Sequence, residues 1–455
     1  MDPASSNDVF STAMAALLTP FGLIAVVLAL LITVATLASR GWRWGMLAVA
    51  IWLTTFELAA GDQAVAGHLW GPLESIQSNG RFLATAAMLA LLLPSIFSSR
   101  GWRVRMISGA AVAYLLLEFV YGGRLLLANL TERALGSFGI FILIFIILAR
   151  GVSTWLQEPG HAVAALRAVA FAGMIFVAVN IFQLLISPHD AIWNGRLNGT
   201  AGNPQHMAMD MASLLPAMLF LLLRKEEPKA MRVCLSGSVG LMAIMLGMTA
   251  SRTGALMVLF ARVVMFRRWL GKFLKMAVII CVVTFLGSLL FPDSRIDTYR
   301  FTSTENTRGD VWSQLSGDFL SHPLIGVVYD APDIRESSYL SVAARLGVVG
   351  LLPLLAMIIL GFRTVFSLRR ARPMLGEYTM IADVIAGGMV SLAVGAMTEG
   401  FMLGTLTLQV YMIYFYLSLT LFLLDFAQLK SLPQESPENS YETSYEEFYI
   451  GAYDL

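Results

Sequence analysis

Long apolar runs recur along this chain and constrain its fold more than any other feature. Runs of 16–22 residues are typical of helices that cross a bilayer, whose hydrocarbon core is about 30 Å thick. The residue-by-residue alternation of a β-barrel strand is absent. With 57% hydrophobic and 13% charged residues, and a mean hydropathy of +0.72, an ordinary soluble domain is excluded. The sequence predicts an all-α, polytopic transmembrane helix bundle.

Hydropathy predicts thirteen spans, or twelve if one short segment is re-entrant. They cover 18–38, 44–60, 82–97, 106–121, 134–149, 168–187, 207–223, 233–249, 253–266, 274–291, 338–360, 381–398 and 404–424. The chain then divides into N-terminal transmembrane helices (1–187), a second transmembrane part with one long loop at 292–337 (188–430), and an acidic, Tyr-rich tail (431–455). The tail is poor in aliphatic residues and is expected to be disordered.

The distribution of lysine and arginine predicts the orientation of the bundle. One set of alternate loops holds twenty of these residues and the other set holds ten. We expect the richer set to be cytoplasmic and the loop 292–337 to face outward. All five lysines fall on the cytoplasmic side, whereas every cation of the outer set is an arginine. Since arginine offers a planar fork to phosphate or carboxylate oxygens, this asymmetry favours an anionic group bound at the outer leaflet. The net charge of +1 gives no indication of nucleic acid binding.

Three outer-face arginines have distinctive surroundings. Arg196 lies in a Gly- and Asn-rich segment, Arg252 lies in the tightest hairpin of the chain, and Arg308 precedes Trp312 by one helical turn. Each has an ordinary alternative role, because an interfacial arginine also reaches toward lipid headgroups or caps a helix C-terminus.

Four segments, in this order, resemble those of the O-antigen ligase and Wzy-type polysaccharide polymerase superfamily. They are GRLNGTAGNPQHMA (195–208), TASRTGAL (249–256), TRGDVWSQLSGDFLSHPLIGV (307–327) and SSYLSVAARLGVVGLL (337–352). The resemblance implies a membrane glycosyltransferase of the GT-C type. Such an enzyme transfers a glycan from undecaprenyl diphosphate to an acceptor hydroxyl at the outer face of the bacterial inner membrane. It uses no nucleotide sugar, metal or other cofactor, and 188–430 would be its catalytic core.

The resemblance also implies roles for individual residues. Ligases of this family commonly have His-Asn ahead of the Ser-Tyr-Leu stretch, where this chain has Glu336 and Ser337. The difference favours a polymerase and makes Glu336 the first candidate for a general base. The expected catalytic residues are Glu336, Arg308 and Arg252. The expected contacts to diphosphate or glycan are Arg196, Arg252, Arg308, Arg300, His322 and Trp312. The residues themselves, apart from the resemblance, offer Asp330, Asp333, His322 and His206 as other candidate bases. They also predict supporting roles for Glu399, at the outer end of its span, for Asp210, one turn past His206, and for Asp333.

Three functions remain open from the sequence. A polymerase would join lipid-linked repeat units, a ligase would pass finished glycan to lipid A or another acceptor, and an anion transporter would also place arginines at its outer mouth. A transporter should show inverted repeats. The two similar segments of this chain, SRGWRWGM (39–46) and SRGWRVRM (99–106), are both expected on the cytoplasmic side and so do not indicate an inverted repeat. Expected partners are the lipid-linked donor and acceptor, the bilayer, a flippase, and a chain-length regulator. The regulator would dock on tail tyrosines spaced four residues apart, a spacing that also arises by chance.

Overall fold

A computed structural model of the chain describes residues 42–56, 108–131, 155–193, 195–266, 308–327, 336–404 and 407–431, and isolated positions within 69–91 and 134–142. These parts are almost entirely helical. The helices are α1 Trp42–Leu53, α2 Gly109–Leu127, α3 Pro159–Ile186, α4 Pro188–Ala191, α5 Pro204–Leu223, α6 Lys229–Met248, α7 Arg252–Met265, α8 Gly309–Ser321, α9 Ser338–Arg370, α10 Arg372–Leu375, α11 Thr379–Thr398 and α12 Leu408–Ser431. Single 3-10 turns lie at Gly199–Ala201 and Gly376–Tyr378. One short antiparallel ladder pairs β1 (Ile192–Trp193) with β2 (Arg196–Leu197).

Seven helical segments within the described ranges are long and apolar enough to cross a membrane. They are Gly109–Leu127, Pro159–Ile186, Pro204–Leu223, Lys229–Met248, Ser338–Arg370, Arg372–Thr398 and Leu408–Lys430. The prediction of an all-α, multi-pass membrane protein is confirmed at this level. Predicted spans 18–38 and 274–291 and tail residues 432–455 lie outside the described residues. The number of spans and the outward orientation of the long loop therefore stay predictions.

Local capping explains where the helices nearest the candidate site begin. At α5, the Asn203 side chain accepts from the Gln205 amide at 2.8 Å and Pro204 occupies the first turn. At α7, Ser251 accepts from the Gly254 amide at 3.3 Å. These side chains satisfy amide groups that a helix start leaves without an intrahelical partner.

Helix α5 lies at the centre of the bundle and is almost wholly buried. It packs against α3, α7 and α11. Its approach to α7 is close because a Cβ on Gly254 would lie 2.4 Å from the Cβ of Ala208. By contrast, only three of the twenty residues of α6 are buried, as expected of a helix that faces lipid. The buried helices therefore hold the starts of α5 and α7 in a fixed relation.

The two ends of the bundle carry different sets of polar residues. One end carries ion pairs between Arg167 and Glu227 at 2.5 Å and between Arg372 and Asp383 at 2.6 Å. The starts of α5, α7 and α9 and the end of α11 meet at the other end. We call it the site end, because a cluster of polar residues lies there.

Candidate active site at the site end of the bundle

Arg308 lies immediately before α8, between two carboxylates. Its Nη2 donates to Glu399 Oε1, and its Nη1 donates to the Thr398 carbonyl at 2.5 Å. Its Nε lies 3.8 Å from Glu336 Oε2. One guanidinium therefore links the end of α11 to the residue two positions before α9.

Two polar side chains from other helices also contact the Glu399 carboxylate. The Gln205 amide, with its nitrogen toward the carboxylate, donates to both Glu399 oxygens at 3.1 Å and accepts from Arg308 Nη2 at 3.1 Å. The reverse orientation would place the amide oxygen against the carboxylate. Thr253 Oγ1 lies 3.5 Å from Glu399 Oε1 and 3.0 Å from Thr398 Oγ1. With Glu399 only 4% exposed, these contacts replace the water that a carboxylate otherwise requires.

The backbone after α11 is irregular, and side chains supply its hydrogen bonds. Ser338 Oγ donates to the Glu399 carbonyl at 2.7 Å and accepts from the amides of Phe401 and Met402 at 3.1 and 3.3 Å. The Gly404 amide lies 3.2 and 3.3 Å from the two oxygens of Glu118, which it donates to. Buried non-helical backbone in a membrane protein needs such partners, so Ser338 and Glu118 hold the segment that begins with Glu399.

Four segments of the chain meet at Glu399. Gln205 belongs to the segment 195–208, Thr253 to 249–256, Arg308 to 307–327 and Ser338 to 337–352, and each contacts Glu399. Ser337, between Glu336 and Ser338, has a positive φ of 67°. A non-glycine residue in that region costs about 1–3 kcal/mol and is found most often at functional sites.

Burial controls the proton affinity of both carboxylates. It raises the pKa of Glu399 above the ordinary value, and the nearby Arg308 and His206 offset part of the effect. Burial also raises the pKa of Glu336, again against the influence of Arg308. A raised pKa brings a carboxylate nearer to the value that suits a general base at neutral pH.

Arg196 and Arg252 both lie at the hairpin between α6 and α7. Arg196 is buried and its Nε donates to the Thr249 carbonyl at 2.8 Å. The segment that carries it is tied to α3, because Asn180 accepts from the Thr200 amide at 2.8 Å. Arg252 is exposed in the first turn of α7, beside Thr253. Arg196 therefore supports the hairpin, and Arg252 presents a cation next to the cluster.

The structure places the remaining predicted residues at different distances from the cluster. The Trp312 amide bonds to the Arg308 carbonyl at 2.9 Å, one turn into α8. His322 follows the end of α8, about 20 Å along that helix from Arg308 at about 1.5 Å per residue, and its Nδ1 lies 2.9 Å from Ser321 Oγ. Asp210 is fully buried and accepts from Gln409 at 3.0 Å. Arg300, Asp330 and Asp333 lie outside the described residues.

Sequence reasoning named Glu399 as a supporting residue but missed Gln205, Thr253, Thr398 and Ser338. Three of them lie inside the segments that drew attention to Arg196, Arg252 and Glu336. A neutral side chain gives no charge signal, so only spatial contact shows its part in the cluster.

Compared with known protein families and with curated proteins, the sequence matches none.

Proposed function

We propose that this chain is a polysaccharide polymerase of the O-antigen ligase and Wzy-type superfamily. It would transfer a growing glycan from undecaprenyl diphosphate to a hydroxyl of a lipid-linked repeat unit at the outer face of the bacterial inner membrane. The observation that carries the proposal is the meeting, at Glu399, of the four segments that resemble the superfamily. Segments separated by long stretches of chain have come together around one buried carboxylate.

The charges of the cluster suggest different roles for Arg252 and Arg308. Arg308 lies between Glu399 and Glu336, so its charge is largely balanced by carboxylates. Arg252 is exposed and directly precedes Thr253, which contacts Glu399, and we assign it the main contact with the donor diphosphate. Arg308 then holds Glu336 and Glu399 in place and adds to the positive field at the leaving group. A fixed cation in a site of low dielectric stabilises charge that develops in the transition state.

The reaction is a single displacement with inversion at the anomeric carbon. The acceptor hydroxyl oxygen attacks that carbon, its proton passes to Glu336, and the bond to the diphosphate oxygen breaks with its electron pair leaving on the lipid diphosphate. Burial that raises the pKa of Glu336 suits it to accept the proton. A positioned general base typically contributes about 10²–10⁴-fold.

The experiment uses the full chain in nanodiscs with undecaprenyl-diphosphate-linked repeat units as the only substrate, and products are separated on a gel. Wild type should give a ladder that Arg252→Ala loses and that Glu336→Gln reduces by about 10²–10⁴-fold in rate. Arg224→Ala is the control, because Arg224 pairs with exposed Glu226 at the other end of the bundle.

Other outcomes point to other functions. A ladder that survives in Glu336→Gln removes Glu336 as the base but leaves the polymerase. Turnover that requires a lipid A-type acceptor means a ligase. No turnover with any acceptor reopens the hypothesis of an anion transporter.

A further inference from the structure

Helix α9 is two helices joined at Gly347. That residue has φ +60° and ψ −155°, which an α-helix does not tolerate. The part from 348 to 370 is long enough by itself to cross about 30 Å of hydrocarbon at about 1.5 Å per residue. The break therefore marks the level at which the spanning part of α9 begins, and 338–346 lies beyond it toward the site end.

A turn from another segment occupies the break. The Val327 amide donates to the Ala344 carbonyl at 2.8 Å, and the Val348 amide donates to the Pro323 carbonyl at 2.8 Å. The fit is close because a Cβ on Gly347 would lie 2.4 Å from the carbonyl carbon of Leu324. These bonds fix residues 322–327 beside the first turn of the spanning helix.

All residues from 320 to 325 are exposed, and four of the six are apolar, the polar ones being Ser321 and His322. Leu320, Leu324 and Ile325 are 76%, 69% and 53% exposed. Leaving these side chains in water costs about 25 cal/mol of free energy per Å² of apolar surface relative to burying them. Their neighbours on the spanning part of α9, Val349 and Leu352, are exposed as well.

The end of α2 extends the same surface. Arg124 donates from Nη2 to the Gly326 carbonyl at 3.1 Å, and Leu127 in the last turn of α2 is exposed. An arginine beside exposed leucines is the usual arrangement where a protein meets the headgroup region, because the charge stays hydrated while the apolar groups enter the acyl chains.

We propose that residues 320–325, the end of α8 and the beginning of the turn, are immersed in the bilayer leaflet on the site side, where they continue the lipid-facing surface of α2 and α9. Its occupant is lipid, because the exposed residues are continuous with helices long and apolar enough to span a membrane. The immersed turn ends α8, and Arg308 precedes the other end of that helix. Lipid contact would therefore anchor one end of α8, while the bonds of Arg308 to Thr398 and Glu399 hold the other end. The inference does not depend on the proposed function.

The test measures which medium surrounds a nitroxide spin label at the turn. Cys234 and Cys281 are replaced by serine, and single cysteines are introduced at Leu320, Leu324 and, as the matched control, exposed Gln314 of α8. The labelled full-length protein is placed in nanodiscs. Collision with oxygen, which concentrates in lipid, is compared with collision with a water-soluble nickel chelate.

We expect the ratio of oxygen to nickel collisions to be several-fold higher at Leu320 and Leu324 than at Gln314. Equal and low ratios at the three positions would place the turn in water and overturn the proposal. Low collision rates with both reagents at Leu324 would mean that another part of the chain or a second copy covers the turn, which also overturns it. Quenching of a bimane fluorophore on the same cysteines by lipids with shallow nitroxides gives an independent reading, and its absence at Leu324 would count against immersion.

Discussion

Arg308 and Glu399 form an ion pair although 91 residues separate them in sequence. The carboxylate is buried and the guanidinium is nearly so. Removing one partner of a buried pair leaves a charge without compensation, which costs about 3–5 kcal/mol. The pair therefore holds the start of α8 on the end of α11.

Replacement of Arg308 by alanine should lower the unfolding temperature of the protein in nanodiscs markedly, because the Glu399 charge loses its strongest partner. Adding Glu399→Gln to Arg308→Ala should recover part of the loss, since a buried amide costs less than a buried carboxylate. A double variant less stable than Arg308→Ala would contradict this reading. Arg224→Ala, at the other end of the bundle, should change the unfolding temperature little.

The stability contribution of Glu336 should depend on pH in a direction set by its environment. Burial raises its pKa in the folded protein above 4.5, so folding favours the protonated form. The contribution is fully present below pH 4.5 and is lost as the pH rises through the raised pKa. Relative to wild type, Glu336→Gln should therefore become more stable between pH 4.5 and neutral pH, as followed by unfolding temperature.

The cause of that shift can be checked separately. Arg308 lowers the pKa of Glu336, so Arg308→Ala should raise it further. In the Arg308→Ala background, the pH range over which Glu336→Gln becomes more stable than the protein that keeps Glu336 would then move to higher pH. A range that stays in place would show that Arg308 and Glu336 do not interact in solution.

Ser338 should contribute more to the stability of the protein than its small side chain suggests. Its hydroxyl is bonded to the Phe401 and Met402 amides and the Glu399 carbonyl, and each buried group left unsatisfied costs about 1–3 kcal/mol. We expect Ser338→Ala to lower the unfolding temperature and to speed hydrogen exchange at residues 401 and 402. Ser313→Ala, at an exposed position of α8, is the control and should do neither.

Gly347 and Gly317 should respond in opposite ways to alanine. At Gly347 a Cβ would meet the backbone of Leu324, and the positive φ adds strain of about 1–3 kcal/mol. At Gly317, inside α8, the same Cβ meets nothing within 4 Å, and alanine gains up to about 1 kcal/mol of helix propensity. Unfolding temperatures of the two variants test the difference. Equal stability would mean that the turn does not fill the break in α9.

Arg196 should act through the hairpin. Its Nε holds the Thr249 carbonyl, and a hydrogen bond from a charged group contributes about 1.5–3 kcal/mol. Arg196→Met, which keeps much of the volume, should lower both the unfolding temperature and the yield of any glycan ladder. Arg232→Met, at an exposed position of α6, should leave both close to wild type.

Much of the helical architecture could be predicted because hydropathy is a property of local sequence. The predicted span 207–223 falls within Pro204–Leu223, and 253–266 nearly coincides with Arg252–Met265. The predicted span 338–360 also lies on a helix, but the break at Gly347 was not predicted. The break depends on a backbone contact with the turn at 322–327. The hydrophobic periodicity of α9 carries no information about a contact with another segment.

The candidate site was likewise predictable from the sequence only in part. Sequence by itself determined an all-α membrane protein. It singled out Glu399 because charge at the end of an apolar span is costly, Arg308 because it precedes Trp312 in the long loop, and Glu336 only through the resemblance to the ligase and polymerase superfamily. Only the tertiary structure decided that Arg308 pairs with Glu399 and that Gln205, Thr253 and Ser338 surround it. The physical reason is the distance in sequence over which each effect acts. Transfer of a residue from water to lipid is a property of that residue and its neighbours, whereas a hydrogen bond depends on which distant groups the packing of helices brings within about 3 Å.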